Sequence, residues 1–219
     1  MNAVILSCTT LQDYVHAAQV ACHTSFPVVW LDRFYHVEPQ RMRQHILDTM
    51  ETLPEEVDTV LVAMGFCGGS WQDVVCTRKV VIPRVDDCVS LVMTTSEELN
   101  PCTKEMGHMY VFGDGDEGGF SIGGIYEGLV REHGEETAEI VFDMMFENYR
   151  NVDIVDTGLY DCYDPAFVEK VQKDADRIHA DLDFVPGSNL LLEKLVSGRW
   201  DEQFVVVEPG TNITQGTFF

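Results

Sequence analysis

Four side chains able to ligate a soft metal ion occupy equivalent places along the first ninety residues. Cys8, His36, Cys67 and Cys88 each follow a short apolar run within a few positions, the runs being residues 3–6, 28–31, 59–63 and 80–82. Each run reads as a buried strand. If the strands lie parallel in one sheet, their C-terminal ends share an edge, and residues distant in sequence can converge there. Three thiolates and one imidazole make a Cys₃His set suited to zinc, and cysteine-rich sets also suit iron–sulfur clusters. Taken singly, a buried cysteine reads as inert packing. The coincidence at four consecutive strand ends is what points to a metal.

Around Cys67 the turn Gly65-Phe66-Cys67-Gly68-Gly69 lets the backbone approach a ligand, which marks Gly68 and Gly69 as cofactor-binding positions, although Gly-Gly is also common in plain turns. No catalytic residue emerges. Asp86 and Asp87 are the only acid–base candidates beside Cys88, and paired acids in loops are usually solvated. There is no CxxC pair for a structural zinc or thioredoxin motif, and no GxSxG elbow. The stretch GDGDEGG at 113–119 lacks the ligand order of an EF-hand and a phosphate-binding lysine, so it reads as a solvated loop or a lid. Cys22 lies on a helical apolar stripe and reads as a core thiol. Cys76 and Cys162 read as buried or surface thiols, with a metal or redox role as the alternative. His16, His23, His45, His108, His133 and His179 follow no ligand spacing.

These residues need a scaffold, and the chain supplies alternating periodicities. Strand-like runs at 3–6, 28–31, 59–63, 80–82, 109–112, 152–155 and 204–207 are separated by helical patterns. Leu11, Tyr14, Val15, Ala18 and Cys22 mark a first helix capped by Thr9 or Thr10. Pro39 opens a second with Met42, Ile46, Met50 and Leu53 inward. Residues 71–76 read as a short helical connection and 87–99 as weakly helical. Two helices flank Gly134, the second with Ala138, Val141, Met144, Met145 and Tyr149 inward. Asp164-Pro165 starts another, and Ser188 caps the last. The tail beyond Pro209 reads as surface. Such alternation predicts an α/β fold, a mainly parallel sheet flanked by helices. The chain reads as one domain over 1–219, with two Rossmann-like halves, 1–100 and 101–219, left open.

Composition narrows the partners. With 37 acidic against 14 basic residues among 219, the formal charge is −23, which repels nucleic acid and anionic membrane surfaces. No apolar run reaches the ~18 residues that cross a bilayer. The start, MNAVILSCTT, lacks a basic n-region and a long apolar stretch, so a cytoplasmic location is expected. The seven cysteines are an odd number with no secretion signal, which argues against a disulfide framework.

Several segments together resemble a prokaryotic family catalogued as domain of unknown function 1638: GFCGG at 65–69, IPRVDDC at 82–88, ENYRNVDIVDTGL at 147–159 and LLLEKLVSGRWDEQFVVVEPG at 190–210. The early ILSC and the FYHVEP around His36 belong to the same pattern. Members look like companions of corrinoid-dependent methyltransferase systems. The resemblance therefore implies one-carbon metabolism, a small-molecule methyl donor or acceptor, and a corrinoid carried by a partner protein. It maps onto Cys8, His36, Cys67 and Cys88. This chain departs from the pattern at Asp86, where histidine is expected in many relatives, and at MYVFGDG, 109–115. The expected function is a zinc-thiolate enzyme of methyl transfer. The alternatives are an accessory protein delivering metal, corrinoid or methyl carrier, an iron–sulfur protein using the same ligands, and a small-molecule-binding domain whose zinc is structural.

Overall fold

The computed structural model of the chain describes residues 2–33, 35, 38–99, 104–113 and 121–218. In order these form β1 (Ala3–Cys8), α1 (Gln12–Ala21), β2 (Val28–Leu31), α2 (Pro39–Thr52), β3 (Thr59–Ala63), β4 (Val74–Val75), β5 (Lys79–Pro83), α3 (Cys88–Met93), β6 (His108–Val111), α4 (Ile122–His133), α5 (Glu135–Phe146), β7 (Asn151–Asp156), α6 (Pro165–Arg177), β8 (Asp181–Pro186), α7 (Leu190–Ser197), β9 (Phe204–Val207), β10 (Asn212–Ile213) and α8 (Gln215–Phe218). The fold is mixed α/β with a mainly parallel central sheet. Two compact units are present, Met1–Cys102 with Ser188–Phe219, and Thr103–Gly187. None of the described helices is long and apolar enough to cross a membrane.

The first unit is built on a five-stranded sheet in the order β2-β1-β3-β5-β9. β2, β1, β3 and β5 run parallel, and β9 closes the edge antiparallel to β5. The strands are continuous apolar runs because helices cover them: β1 and β3 are buried at every residue. From β1 the chain steps outward to β2 and returns to β3 on β1's other side. By the right-handed rule for parallel crossovers, these two opposite steps place α1 and α2 on opposite faces. Between β1 and β3 the winding reverses, and open α/β sheets bind ligands beyond the C-terminal strand ends at such a point.

Local chemistry accounts for the helix limits. Pro39 sits at the start of α2, which buries Met42, Ile46 and Met50, as its spacing predicts. The guanidinium of Arg78 donates to the Met50, Leu53 and Pro54 carbonyls at 2.9, 2.9 and 3.0 Å, closing that helix's C-terminus. Thr9 and Thr10 do not cap α1. The Thr9 hydroxyl instead accepts from the Arg33 N–H at 3.1 Å, and a 3₁₀ turn over Thr9–Leu11 leads into the helix. Gly198, left-handed at φ 80°, ends α7.

One further expectation is corrected in this unit and another refined. The segment from Trp71 to Cys76 is not helical: β4 pairs antiparallel with β10. The tail beyond Pro209 is mostly exposed, as its sequence suggests, but that pairing anchors it at two points. Ile213 and Phe218 are fully buried, and the Arg84 guanidinium donates to the carbonyls of Thr217 and Phe218 at 2.9 and 3.2 Å. Across the same unit runs a buried cation. Lys194, 1% exposed, donates from Nζ to Glu97, Asp201 and Gln203, each at 2.5 Å.

The second unit is a three-stranded parallel sheet, β6-β7-β8. Val152 and Ile154 of β7 pack into a core with Ile122, Phe142, Phe146, Val171 and Ala175. Asp164 caps α6, accepting from the Ala166 and Phe167 N–H groups. On α5 the buried face is Ala138, Phe142 and Phe146, whereas Met144 and Met145 are exposed. Sequence periodicity turned this helix too far. β8 was missed: its two acids interrupt the apolar Leu182, Phe184 and Val185, and most of its residues are exposed. His108 pairs through Nδ1 with the buried Asp153 carboxylate at 2.6 Å, joining β6 to β7.

Candidate metal centre

Sheet order decides which thiols can meet. Cys8 is the last residue of β1, Cys67 lies four residues past β3, and Cys88 opens α3 five residues past β5. β1, β3 and β5 are adjacent in the sheet, so the three cysteines follow neighbouring strands on one edge, at the point where the winding reverses.

Backbone bonds then draw the two loops together. Phe66 N–H donates to the Val85 carbonyl at 3.0 Å, and Cys67 N–H to that of Asp86 at 2.7 Å. Gly65 makes this approach possible. A Cβ there would lie 2.6 Å from the Asp87 nitrogen and 2.8 Å from its Cα, both backbone atoms that cannot swing aside. Cys67, Gly68 and Gly69 follow with φ of 45°, 63° and 88°. Left-handed backbone is costly for a cysteine, and such strain persists only where the surroundings enforce it.

The thiols meet at Cys88. Its Sγ is hydrogen-bonded with those of Cys67 and Cys8, and these bonds, followed by burial, push the Cys88 thiol well above its ordinary pKa. Cys8 is fully buried and Cys88 is 3% exposed, while Cys67 is half-buried. The Cys8 thiol also donates to Thr10 Oγ1 at 3.2 Å. Thr10 was read from sequence as a helix cap, and nothing in its position signals this second use.

The acids beside the cluster are engaged elsewhere. Asp87 caps α3, accepting from the Ser90 N–H at 2.8 Å and the Ser90 hydroxyl at 3.0 Å, and that hydroxyl also donates to Asp86. Of the two glycines read as ligand-binding, Gly69 already uses its N–H within the turn, donating to Phe66 at 3.2 Å. A Cβ on Gly68 would come 3.0 Å from the Pro39 ring.

The other sequence candidates divide clearly. His36 lies outside the described residues, as do Cys102 and the 114–119 part of the acidic loop. Cys22 stands apart from the cluster, its Sγ donating to the Glu193 carbonyl at 3.4 Å. Cys76 is fully buried, and burial raises its thiol pKa to about 11. Cys162 belongs to the second unit's core, and burial followed by Asp156 raises its pKa. Among the described residues no group of three or more His, Cys, Asp and Glu side chains is set as a ready-made metal cage. The structure brings three thiols together, not a finished coordination sphere.

A family model described as Protein of unknown function (DUF1638) matches residues 30–196. No curated protein and no solved structure matches the chain.

Proposed function

For a chain that belongs to the DUF1638 family, matched over a span that takes in Cys67 and Cys88 and begins after Cys8, we propose a thiolate metal centre serving one-carbon metabolism in the cytoplasm. The observation that carries this reading is the meeting of the Cys8, Cys67 and Cys88 thiols at the sheet edge. By donor chemistry the set fits a thiophilic ion, zinc first, with an iron–sulfur cluster as the rival occupant. Cys8, Cys67 and Cys88 would hold it, and His36 is the fourth ligand proposed from the sequence. With all four bound a tetrahedral zinc would be closed, so Lewis-acid activation of a bound thiol or water would require one ligand to leave or the coordination to expand.

What the chain itself contributes is positional. The Phe66–Val85 and Cys67–Asp86 backbone bonds hold the two loops in register, and burial of Cys8 and Cys88 keeps water from their sulfurs. Binding must displace the thiol protons, so affinity rises with pH. The methyl-transfer setting, with a small methyl donor or acceptor and a corrinoid protein as partner, is supported by the family resemblance and not by geometry. One observation favours an accessory role over catalysis. Asp87, a nearby candidate base, is committed to capping α3 and to the Ser90 hydroxyl.

Metal analysis of protein purified with and without air tests the reading. Zinc near one equivalent, lost in Cys67→Ser and Cys88→Ser and retained in Cys22→Ser, is the expected result. Iron with sulfide and a visible chromophore selects the cluster, and no metal under either condition sinks both. Co-purification with a corrinoid protein, without turnover of any methyl donor, supports the accessory role.

A further inference from the structure

We propose that Cys67 and Cys88 form a peroxide-reactive dithiol that closes to a disulfide. The inference uses thiols of the proposed metal centre but stands on their geometry in the metal-free protein. Three observations meet here. Cys67 is the solvent-reachable member of the cluster, half-buried at the rim, whereas Cys8 and Cys88 are sealed. The Cys88 thiol is already within hydrogen-bonding reach of the Cys67 sulfur. The backbone bond from Cys67 to Asp86 holds the two loops at that separation, so little chain movement separates the dithiol from the bridge.

The roles follow from access. A small hydroperoxide reaches Cys67 first, and its sulfur attacks the O–O bond. Cys67–SH and H₂O₂ give Cys67–SOH and H₂O, two electrons passing from sulfur to oxygen. Cys88 sulfur then attacks the sulfenic sulfur, forming S–S and releasing the hydroxyl with the Cys88 proton as a second water. Over both steps two thiols and one peroxide yield one disulfide and two waters. Cys8 does not serve as the resolving thiol: its hydrogen donates to Thr10 Oγ1, and the neighbour it shares with Cys67 is Cys88. Cys22, Cys76 and Cys162 lie apart from this pair, each in its own surroundings.

The test treats the full chain, stripped with chelator, with hydrogen peroxide, then counts thiols under denaturing conditions and maps bridged peptides by mass spectrometry. Two of the seven thiols should be lost, in a peptide linking Cys67 to Cys88, and reducing agent should restore both. Cys67→Ser should abolish the bridge. Cys88→Ser should leave a sulfenic acid on Cys67 that dimedone traps. A bridge to any other cysteine overturns the proposal. So does Cys67 carried to sulfinic or sulfonic acid while Cys88 remains a free thiol, and so does a thiol count that peroxide leaves unchanged. No metal enters the assay, so a failed metal centre and a failed dithiol are read out separately.

Discussion

The amide of Cys67 donates to the carbonyl of Asp86 across 2.7 Å, a bond between two loops that leave adjacent parallel strands. It turns a similarity of position in sequence into contact between sulfurs. The approach is as close as it is because Gly65 carries no side chain.

Gly65→Ala tests that dependence. Its methyl would meet the Asp87 nitrogen at 2.6 Å, so the loops must part. We expect a stability loss of about 1–3 kcal/mol, the usual range for a methyl forced into packed surroundings. Cys67 and Cys88 should also bridge more slowly under peroxide. Urea unfolding reads the first effect and thiol counting the second.

The buried anchor of the tail makes a second prediction. The Phe218 ring packs 4.8 Å from that of Phe66, the residue next to Cys67. Phe218→Ala should cost about 3–5 kcal/mol, as for other buried phenylalanines. It should raise the alkylation rate of Cys67 relative to that of Cys22. An unchanged melting temperature would show the tail to be dispensable.

Alkaline pH should weaken the fold through its buried thiols. Cys76 is raised from 9.0 to about 11 by burial, and Cys88 moves in the same direction. Below pH 9.0 folded and unfolded chains both hold the Cys76 proton. Above it the unfolded chain releases the proton while the folded chain keeps it up to about 11, so stability falls through that window. For Cys76 the loss approaches about 2–3 kcal/mol. Urea midpoints measured under reductant across the window should fall, and Cys76→Ala should flatten the slope.

Lys194→Met removes the buried cation shared by Glu97, Asp201 and Gln203. Glu97 and Asp201 are 58% and 44% exposed and can rehydrate. The cost should therefore stay near about 1–3 kcal/mol, below that of stranding a fully buried charge. Thermal unfolding of the variant checks it. As pH falls below 3.8 the difference from wild type should shrink, because Asp201, pushed up by burial but lowered overall from 3.8 by the Lys194 hydrogen bond, loses its charge only there.

The strands that bear the cluster were legible because a doubly covered parallel sheet demands unbroken apolar runs, and β1, β3 and β5 supply them. The placement of Cys8, Cys67 and Cys88 followed from counting residues past those runs. Other features were hidden for physical reasons. β8 alternates acids with apolar residues on an exposed edge, so composition masks it. On α5, Phe142 and Phe146 claim the core and rotate Met144 and Met145 outward, a choice of bulk that periodicity does not register. Lys194 sits among buried leucines, and its acceptors lie far off in sequence at Glu97 and close by at Asp201 and Gln203. The tail is mostly exposed, as read, but its two buried anchors, Ile213 and Phe218, gave no signal because they are isolated.

The first unit is discontinuous: Ser188–Phe219 joins Met1–Cys102, with Thr103–Gly187 lying between them in the chain. On the ribosome the strands bearing Cys8, Cys67 and Cys88 emerge early, but β9, which seals the edge of β5, comes after the whole second unit has been made. Domains fold as units during synthesis. The inserted unit is thus complete while its host still waits for the closing strand, and the three thiols spend that interval on an open sheet. Reducing conditions, or a prompt occupant for the thiols, matter most to the nascent chain.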